Sequence, residues 1–205
     1  PICGFGSLSV FSKELCRPYD RDRQGLNLGE GAGMLILESE ASARRRGVAT
    51  SVFVAGYGAA CDAHHLTAPR PDGGGLETAL RTSLAEAGIQ PQDVAFVNAH
   101  GTATRDNDKV EGSVLARVFG PDIKVLSTKG FTGHTLGAAG ALEAAFTVMA
   151  LAGGWIPASP GFVNRDDEIP IGVVRERTSV TGRYAVSTSL AFGGNNAALV
   201  IGRNE

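Results

Sequence analysis

Apolar positions along this chain follow two rhythms: short unbroken runs, and longer stretches in which they recur every three or four residues. Runs predict strands and spaced stretches predict helices, because side chains alternate across a strand but return to one face of a helix once per turn. Residues 31–38, with Met34, Leu35, Ile36 and Leu37 at their centre, predict a buried strand. The Ala- and Arg-rich segment 39–46, closed by Gly47, predicts a short helix after it. A second strand is expected over 52–57. Over 76–87, Leu76, Ala79, Leu80, Leu84 and Ala87 share one helical face, and Gly88 supplies the stop. The pattern then predicts a strand at 94–98, a helix at 108–119, a strand at 125–128 and a long helix rich in small residues at 136–152. Two last apolar runs, 184–189 and 197–201, flank the turn Ala191-Phe192-Gly193-Gly194-Asn195, which suits antiparallel pairing. Such alternation predicts an α/β fold with a mixed, mainly parallel sheet, packed helices and a terminal hairpin. No Pro- or Ser-rich linker divides the chain, so residues 1–205 are expected to form one unit.

Composition narrows the function classes. The 19 Lys and Arg against 21 Asp and Glu give a formal charge of -2, without the cationic excess that marks a nucleic-acid or anionic-membrane binder. The longest apolar runs, 34–37 and 144–152 with Thr147 inside it, fall short of the ~20 residues that span a bilayer, so no membrane crossing is expected. Cys3, Cys16 and Cys61 are odd in number and irregularly spaced, as expected of reduced thiols in a cytoplasmic protein rather than a disulfide framework or zinc site. Pro1-Ile2-Cys3-Gly4 offers neither an initiator methionine nor a signal peptide, which predicts a start within a longer protein.

The candidate chemistry gathers just beyond the predicted strands, where open α/β sheets collect ligands at their carboxyl edge. Asn98-Ala99-His100-Gly101-Thr102-Ala103-Thr104 follows one strand and Ser127-Thr128-Lys129 another. Gly133-His134-Thr135-Leu136-Gly137-Ala138-Ala139-Gly140 opens the long helix, and Ala191-Phe192-Gly193-Gly194-Asn195-Asn196 forms the hairpin turn. Two imidazoles from separate loops suit the polarisation of one carbonyl, since each neutral ring donates a hydrogen bond and two donors stabilise an enolate as its charge develops. No Gly-x-Gly-x-x-Gly or Walker pattern supports nucleotide binding. Asp62, His64 and His65 lack a third ligand at helical spacing, so no metal is predicted.

These four motifs occur in the order found in β-ketoacyl-acyl-carrier-protein synthases of the thiolase fold, and Arg17-Pro18-Tyr19-Asp20 and Gly29-Glu30-Gly31-Ala32-Gly33 are also similar to that family. The chain resembles the C-terminal half of such a condensing enzyme along nearly its whole length. The resemblance implies that His100 and His134 are the active-site histidines, and that Lys129 is buried beside them and paired with Glu143 on the following helix. It implies that Thr102 and Thr104 hold the pantetheine arm of a carrier protein. Phe192 would be a gating aromatic on a loop whose Gly193 and Gly194 contact substrate. Family members commonly read Gly-Phe-Gly-Gly-Thr-Asn at this loop; Ala191 and Asn195 depart from that, and Ala191 is expected to narrow the freedom of the gate. Asp108 and Glu111 match a second acidic pair, or are exposed acids favoured at a helix N-terminus.

The family's nucleophilic cysteine belongs to the half that precedes this one, and Cys3, Cys16 and Cys61 are not in its setting. The resemblance therefore implies a decarboxylative Claisen condensation of an acyl thioester with malonyl-carrier protein, completed by a cysteine from elsewhere. Implied partners are an acyl carrier protein, malonyl and acyl thioesters, the N-terminal half, and a second or homologous ketosynthase subunit. No cofactor is implied beyond the phosphopantetheine that arrives on the carrier. The alternative is a chain-length-factor-like partner, a class with no need of two histidines, which the retention of His100, His134 and Lys129 argues against.

Overall fold

The structure, a computed structural model, describes residues 2–204; the expectation that turned on Pro1 lies outside them. The chain runs through α1 (Ile2–Ser7), α2 (Glu40–Arg45), β1 (Val52–Cys61), α3 (Gly74–Ala87), β2 (Val94–Asn98), α4 (Arg105–Phe119) and β3 (Lys124–Leu126). It continues through α5 (Lys129–Thr132), α6 (Ala139–Gly153), β4 (Trp155–Ile156), β5 (Gly172–Val173), β6 (Thr178–Ser179), β7 (Tyr184–Ala191) and β8 (Asn195–Arg203). Six strands form one sheet in the order β1-β8-β7-β2-β3-β5, and β4 pairs with β6 apart from it. The β7–β2, β2–β3 and β3–β5 ladders are parallel, whereas β8 runs antiparallel to both neighbours. The sheet is mixed and mainly parallel, as the sequence pattern predicts.

Period-two alternation sends neighbouring strand residues to opposite sides of this sheet. Val97, Val125, Val186 and Val200 face one core with Leu76, Leu80, Val114 and Leu115 of α3 and α4. Phe96, Leu126, Ala185 and Ile201 face a second core with Leu151 of α6 and Ile156 of β4. Helices thus cover the sheet from both sides, and the central strands are apolar on both faces for that reason. Gly56 and Gly58 let β1 press against α3: a β-carbon at Gly58 would sit 2.0 Å from the Ala79 carbonyl oxygen. The hairpin pairs Ala191 with Asn195 across a tight turn.

Element boundaries shift where local chemistry overrides periodicity. The helix expected from 108 begins at Arg105, and the long helix expected from 136 opens with a 3-10 turn over Leu136–Ala138 before α6. The strand expected over 125–128 ends at Leu126. The principal correction concerns 31–38, which is not a strand: Met34, Ile36 and Leu37 are 88%, 91% and 75% exposed. A run apolar at every position needs both faces and both edges covered, and among the described residues no strand lies beside it. Its upstream end is held differently, with Gly31 and Gly33 closed against Leu142 and Ala141 at the start of α6.

The stretch Leu136–Gly153 reaches the length and composition of a membrane span, 18 residues at mean hydropathy 1.5, longer than its apolar runs suggest. Within the fold it is a layer helix: Ala139, Glu143, Ala144, Thr147 and Leu151 form its buried stripe, and Glu143 on that stripe is ion-paired with Lys129.

Candidate active site

The loops after β2 and β7, the start of α6 and the 62–69 loop line a cavity of about 810 Å³, and Lys129, from the segment after β3, reaches His100 from behind it. His100 leaves β2 two residues after its end, in a turn that only a sharp backbone allows. Gly101 there has φ 39°, and a β-carbon would lie 2.6 Å from the Ser127 β-carbon and 2.9 Å from the Tyr19 ring. The loop's backbone is fixed by a buried carboxylate: Glu111 on α4 accepts from the N–H of His100 at 2.9 Å and of Gly101 at 2.8 Å. Glu111 also accepts from Tyr19 Oη and Thr188 Oγ1, each at 2.7 Å. Asp108, one turn earlier, accepts from the N–H of Tyr19 at 2.7 Å and of Ala103 at 3.2 Å. Both acids are fully buried, so the expectation of exposed N-terminal acids is set aside. Burial pushes the Asp108 carboxyl up to about 6 against the pull of these donors and of Arg23.

The two imidazoles meet edge to face, with ring centroids 5.2 Å apart and planes at 83°. Their outer partners settle the tautomers. Lys129 Nζ lies 3.1 Å from His100 Nδ1, and the Leu136 N–H donates to His134 Nδ1 at 3.2 Å. A ring nitrogen that accepts cannot carry the proton, so each neutral ring holds its N–H on Nε2. Burial, then the Lys129 ammonium and then His134 hold His100 well below the usual imidazole value. Burial followed by Lys129 brings His134 down to about 4. Both rings are therefore uncharged donors at neutral pH.

Lys129 is 2% exposed and Glu143 3%, and the two side chains are in direct contact. Lys129 Nζ also donates to the His100 carbonyl at 2.5 Å, so its three donors are directed to a carboxylate, a carbonyl and a ring. Glu143 Oε2 has no partner, and burial raises this carboxyl while Lys129 pulls it the other way. The two threonines share a hydrogen bond, Thr102 Oγ1 to Thr104 Oγ1 at 2.8 Å, and both line the cavity.

Phe192 caps the same cavity, is 48% exposed, and stacks on Phe5 of α1 at 5.6 Å and 25°. Gly193 and Gly194 carry φ of 85° and 77°, and Ala191 ends β7 in register with Asn195. The Gly193 N–H donates to the Leu66 carbonyl at 2.7 Å, and Asp62 accepts from Asn196 Nδ2 at 2.9 Å, tying this turn to the 62–70 loop. Gly194 lines the cavity with Phe192; Gly193 does not.

Several contributors escape a sequence reading. Tyr19, Thr188 and Arg23 have no chemistry of their own at the site, yet hold the two acids and the loop carbonyls that place His100. The Arg-Pro-Tyr-Asp motif is the available signal for Tyr19. No group of three or more His, Cys, Asp or Glu side chains is clustered for a metal among the described residues. No cysteine among them lines the cavity: Cys16 is buried with its thiol on the Lys129 carbonyl at 3.3 Å, and Cys3 and Cys61 are exposed.

The family described as "Beta-ketoacyl synthase, C-terminal domain" matches residues 52–163, more than half of the chain, and that segment carries both histidines, Lys129 and Glu143. The chain belongs to the β-ketoacyl synthase family. It is 39% identical over 213 residues to 3-oxoacyl-[acyl-carrier-protein] synthase 2 of Staphylococcus aureus (strain COL), covering 100% of this chain and 51% of that protein. This ketosynthase-family chain thus spans about half the length of the curated relatives it matches. Among solved structures, the ishigamide ketosynthase/chain length factor superposes with TM-score 0.94 at 38% identity, over 99% of this chain and 50% of that one. The AntDE:AntF complex, a type II PKS acyl-carrier protein with its ketosynthase bound to the hexaketide, superposes with TM-score 0.95 at 27% identity, over 100% of this chain and 53% of that one.

Proposed function

We propose that this chain supplies the decarboxylating half of a β-ketoacyl synthase. In this reading a malonyl thioester on an acyl carrier protein enters the cavity with its carbonyl oxygen toward His100 and His134. The bond between the methylene carbon and the carboxylate breaks, carbon dioxide leaves, and the electron pair passes to the thioester as an enolate. Two Nε2–H donors stabilise that charge. The enolate carbon then attacks an acyl thioester held on a cysteine that comes from outside these residues; the carbon-carbon bond forms and the thiolate departs. Lys129, held by Glu143, positions His100 and keeps both rings neutral. Thr102 and Thr104 receive the pantetheine amides, and Phe192 with Gly193 and Gly194 admits the acyl chain. The carrier protein, a second ketosynthase-type subunit and the preceding half belong to the same proposal.

The observation that carries it is the perpendicular imidazole pair with both Nδ1 atoms occupied, because that arrangement leaves two donors and no proton to be lost. His134→Ala, made in protein supplied with a nucleophile-bearing half, should stop carbon dioxide release from malonyl-carrier protein. Release at an undiminished rate removes His134 from the chemistry. The match to a ketosynthase/chain length factor structure, together with a cavity lining in which no described cysteine takes part, keeps a non-catalytic partner as the second reading. Such a partner would be indifferent to this substitution.

A further inference from the structure

Of the described side chains lining the 810 Å³ cavity, Arg105 is the only lysine or arginine. It follows Thr104 directly, opens α4, and is exposed at the cavity's rim. Its backbone is held in place. The carbonyl of Arg105 accepts from Arg23 Nη2 at 3.0 Å and that of Thr104 from Arg23 Nε at 3.4 Å. Arg23 is itself 3% exposed and paired with Asp166 at 2.5 Å. The Arg105 guanidinium, by contrast, enters no ion pair among the described residues. Two carboxylates also line the cavity. Asp62 is occupied by the Arg70 N–H at 2.9 Å and by Asn196, and Asp106 sits beside Arg105 in the first turn of α4.

We propose that Arg105 is a phosphate anchor, binding the phosphodiester end of a phosphopantetheine arm whose thioester end lies at the histidines. The inference rests on the reading of the cavity as a carrier-thioester site, and adds to it the contact that recognises the arm's charged end. The placement follows the arm's own order of groups: thioester innermost, amides next, phosphate outermost. In the protein burial falls in the same order, from His100 at 5% and Thr102 at 6% exposure through half-buried Thr104 to exposed Arg105. A guanidinium suits this task because its planar donors meet two phosphate oxygens at once, and its charge does not titrate near neutrality. The positive end of α4, which Arg105 opens, acts in the same direction.

The test uses protein supplied with a nucleophile-bearing half and two probes, an acetyl-phosphopantetheine amide mimic and its dephosphorylated pantetheine counterpart, with dissociation constants measured by ligand-observed NMR. The unaltered protein should bind the phosphorylated probe about tenfold more tightly at low salt, a difference that shrinks as salt is added. Arg105→Ala should abolish the difference by weakening the phosphorylated probe alone, and Arg105→Lys should restore part of it. If Arg105→Ala keeps the preference, the anchor lies elsewhere and this proposal fails while the cavity reading stands. A variant that loses affinity for an intact carrier protein yet keeps the preference between the two probes overturns it as well, assigning Arg105 to the carrier's surface instead. Binding of neither probe to the unaltered protein overturns both readings together.

Discussion

Acidification from pH 7 to pH 4 tests the histidine geometry, because burial and Lys129 hold both rings below the ordinary imidazole range. His134 is held at about 4, against an unperturbed imidazole near 6.5. The unfolded chain therefore binds this proton more readily than the folded one, and the group's contribution to stability is intact above about pH 6.5 and lost progressively as pH falls toward 4. A shift of roughly 2.5 units corresponds to about 3 kcal/mol, reduced to about 2 because the ring is only partly shielded. His100, held well below the usual imidazole value by burial and by Lys129, acts with the same sign. Glu143 and Asp108 act with the opposite sign, since burial raises both and the folded state then takes up their protons more readily as pH falls. Global stability sums these opposed contributions, so the informative assay is the imidazole itself. Carbon-13 and proton NMR of the ring Cε1–Hε1 groups, assigned with His100→Gln and His134→Gln, should show both rings neutral from pH 8 down to 5. Lys129→Met should raise both midpoints by removing the nearby cation. A ring that titrates near 6.5 in the unaltered protein would falsify the enforced pair of neutral donors.

Lys129→Met strands a buried carboxylate and should cost about 3–5 kcal/mol in denaturant unfolding, while adding Glu143→Leu should recover most of it; additive losses would show that the two side chains are not one unit. Gly101→Ala forces a β-carbon into Ser127 and Tyr19 at φ 39°, and a loss of about 1–3 kcal/mol with displaced His100 resonances is expected, whereas an unchanged spectrum would refute the close approach. Met34, Ile36 and Leu37, with Phe131 and Met149 at 61% and 68% exposure, leave apolar surface uncovered. The 205-residue chain alone should therefore bind anilinonaphthalene sulfonate and self-associate in light scattering, both relieved by the preceding half of a relative. A dye-silent monomer would refute that.

The parts of this fold legible in sequence are those where one rhythm decides the outcome. β2, α3, α4 and the β7–β8 hairpin repeat their pattern long enough to fix the type of each element if not its ends, and each is in place. The short pairs β4, β5 and β6 have only two residues apiece and no period to detect. The site is legible in its polar ends and hidden in its supports. His100 and Lys129 stand beside glycine and serine in recognisable clusters, but the network that holds them passes through Glu111 to Tyr19 and Thr188, which are 92 and 77 positions away along the chain. Linear spacing carries no trace of such a contact.

Residues 31–38 show why the same rhythm yields different outcomes. Gly-Ala-Gly-Met-Leu-Ile-Leu-Glu and the opening of β8, Asn-Asn-Ala-Ala-Leu-Val-Ile-Gly, are alike in placing small or polar residues before a run of branched apolar side chains. β8 finds β7 on one edge, β1 on the other, and a helix layer over each face. The earlier segment finds the first turns of α6 at its glycines, while Met34, Ile36 and Leu37 stay exposed. Pattern specifies how much covering a strand requires, and the surroundings decide whether it is met. The expectation of a strand at 31–38 is therefore a statement about a neighbour, and it should reappear as slow amide exchange at 34–37 once the preceding half of a relative is bound. Exchange that stays fast in such a complex would mean that the run is a linker, and that its hydrophobicity serves something other than a sheet.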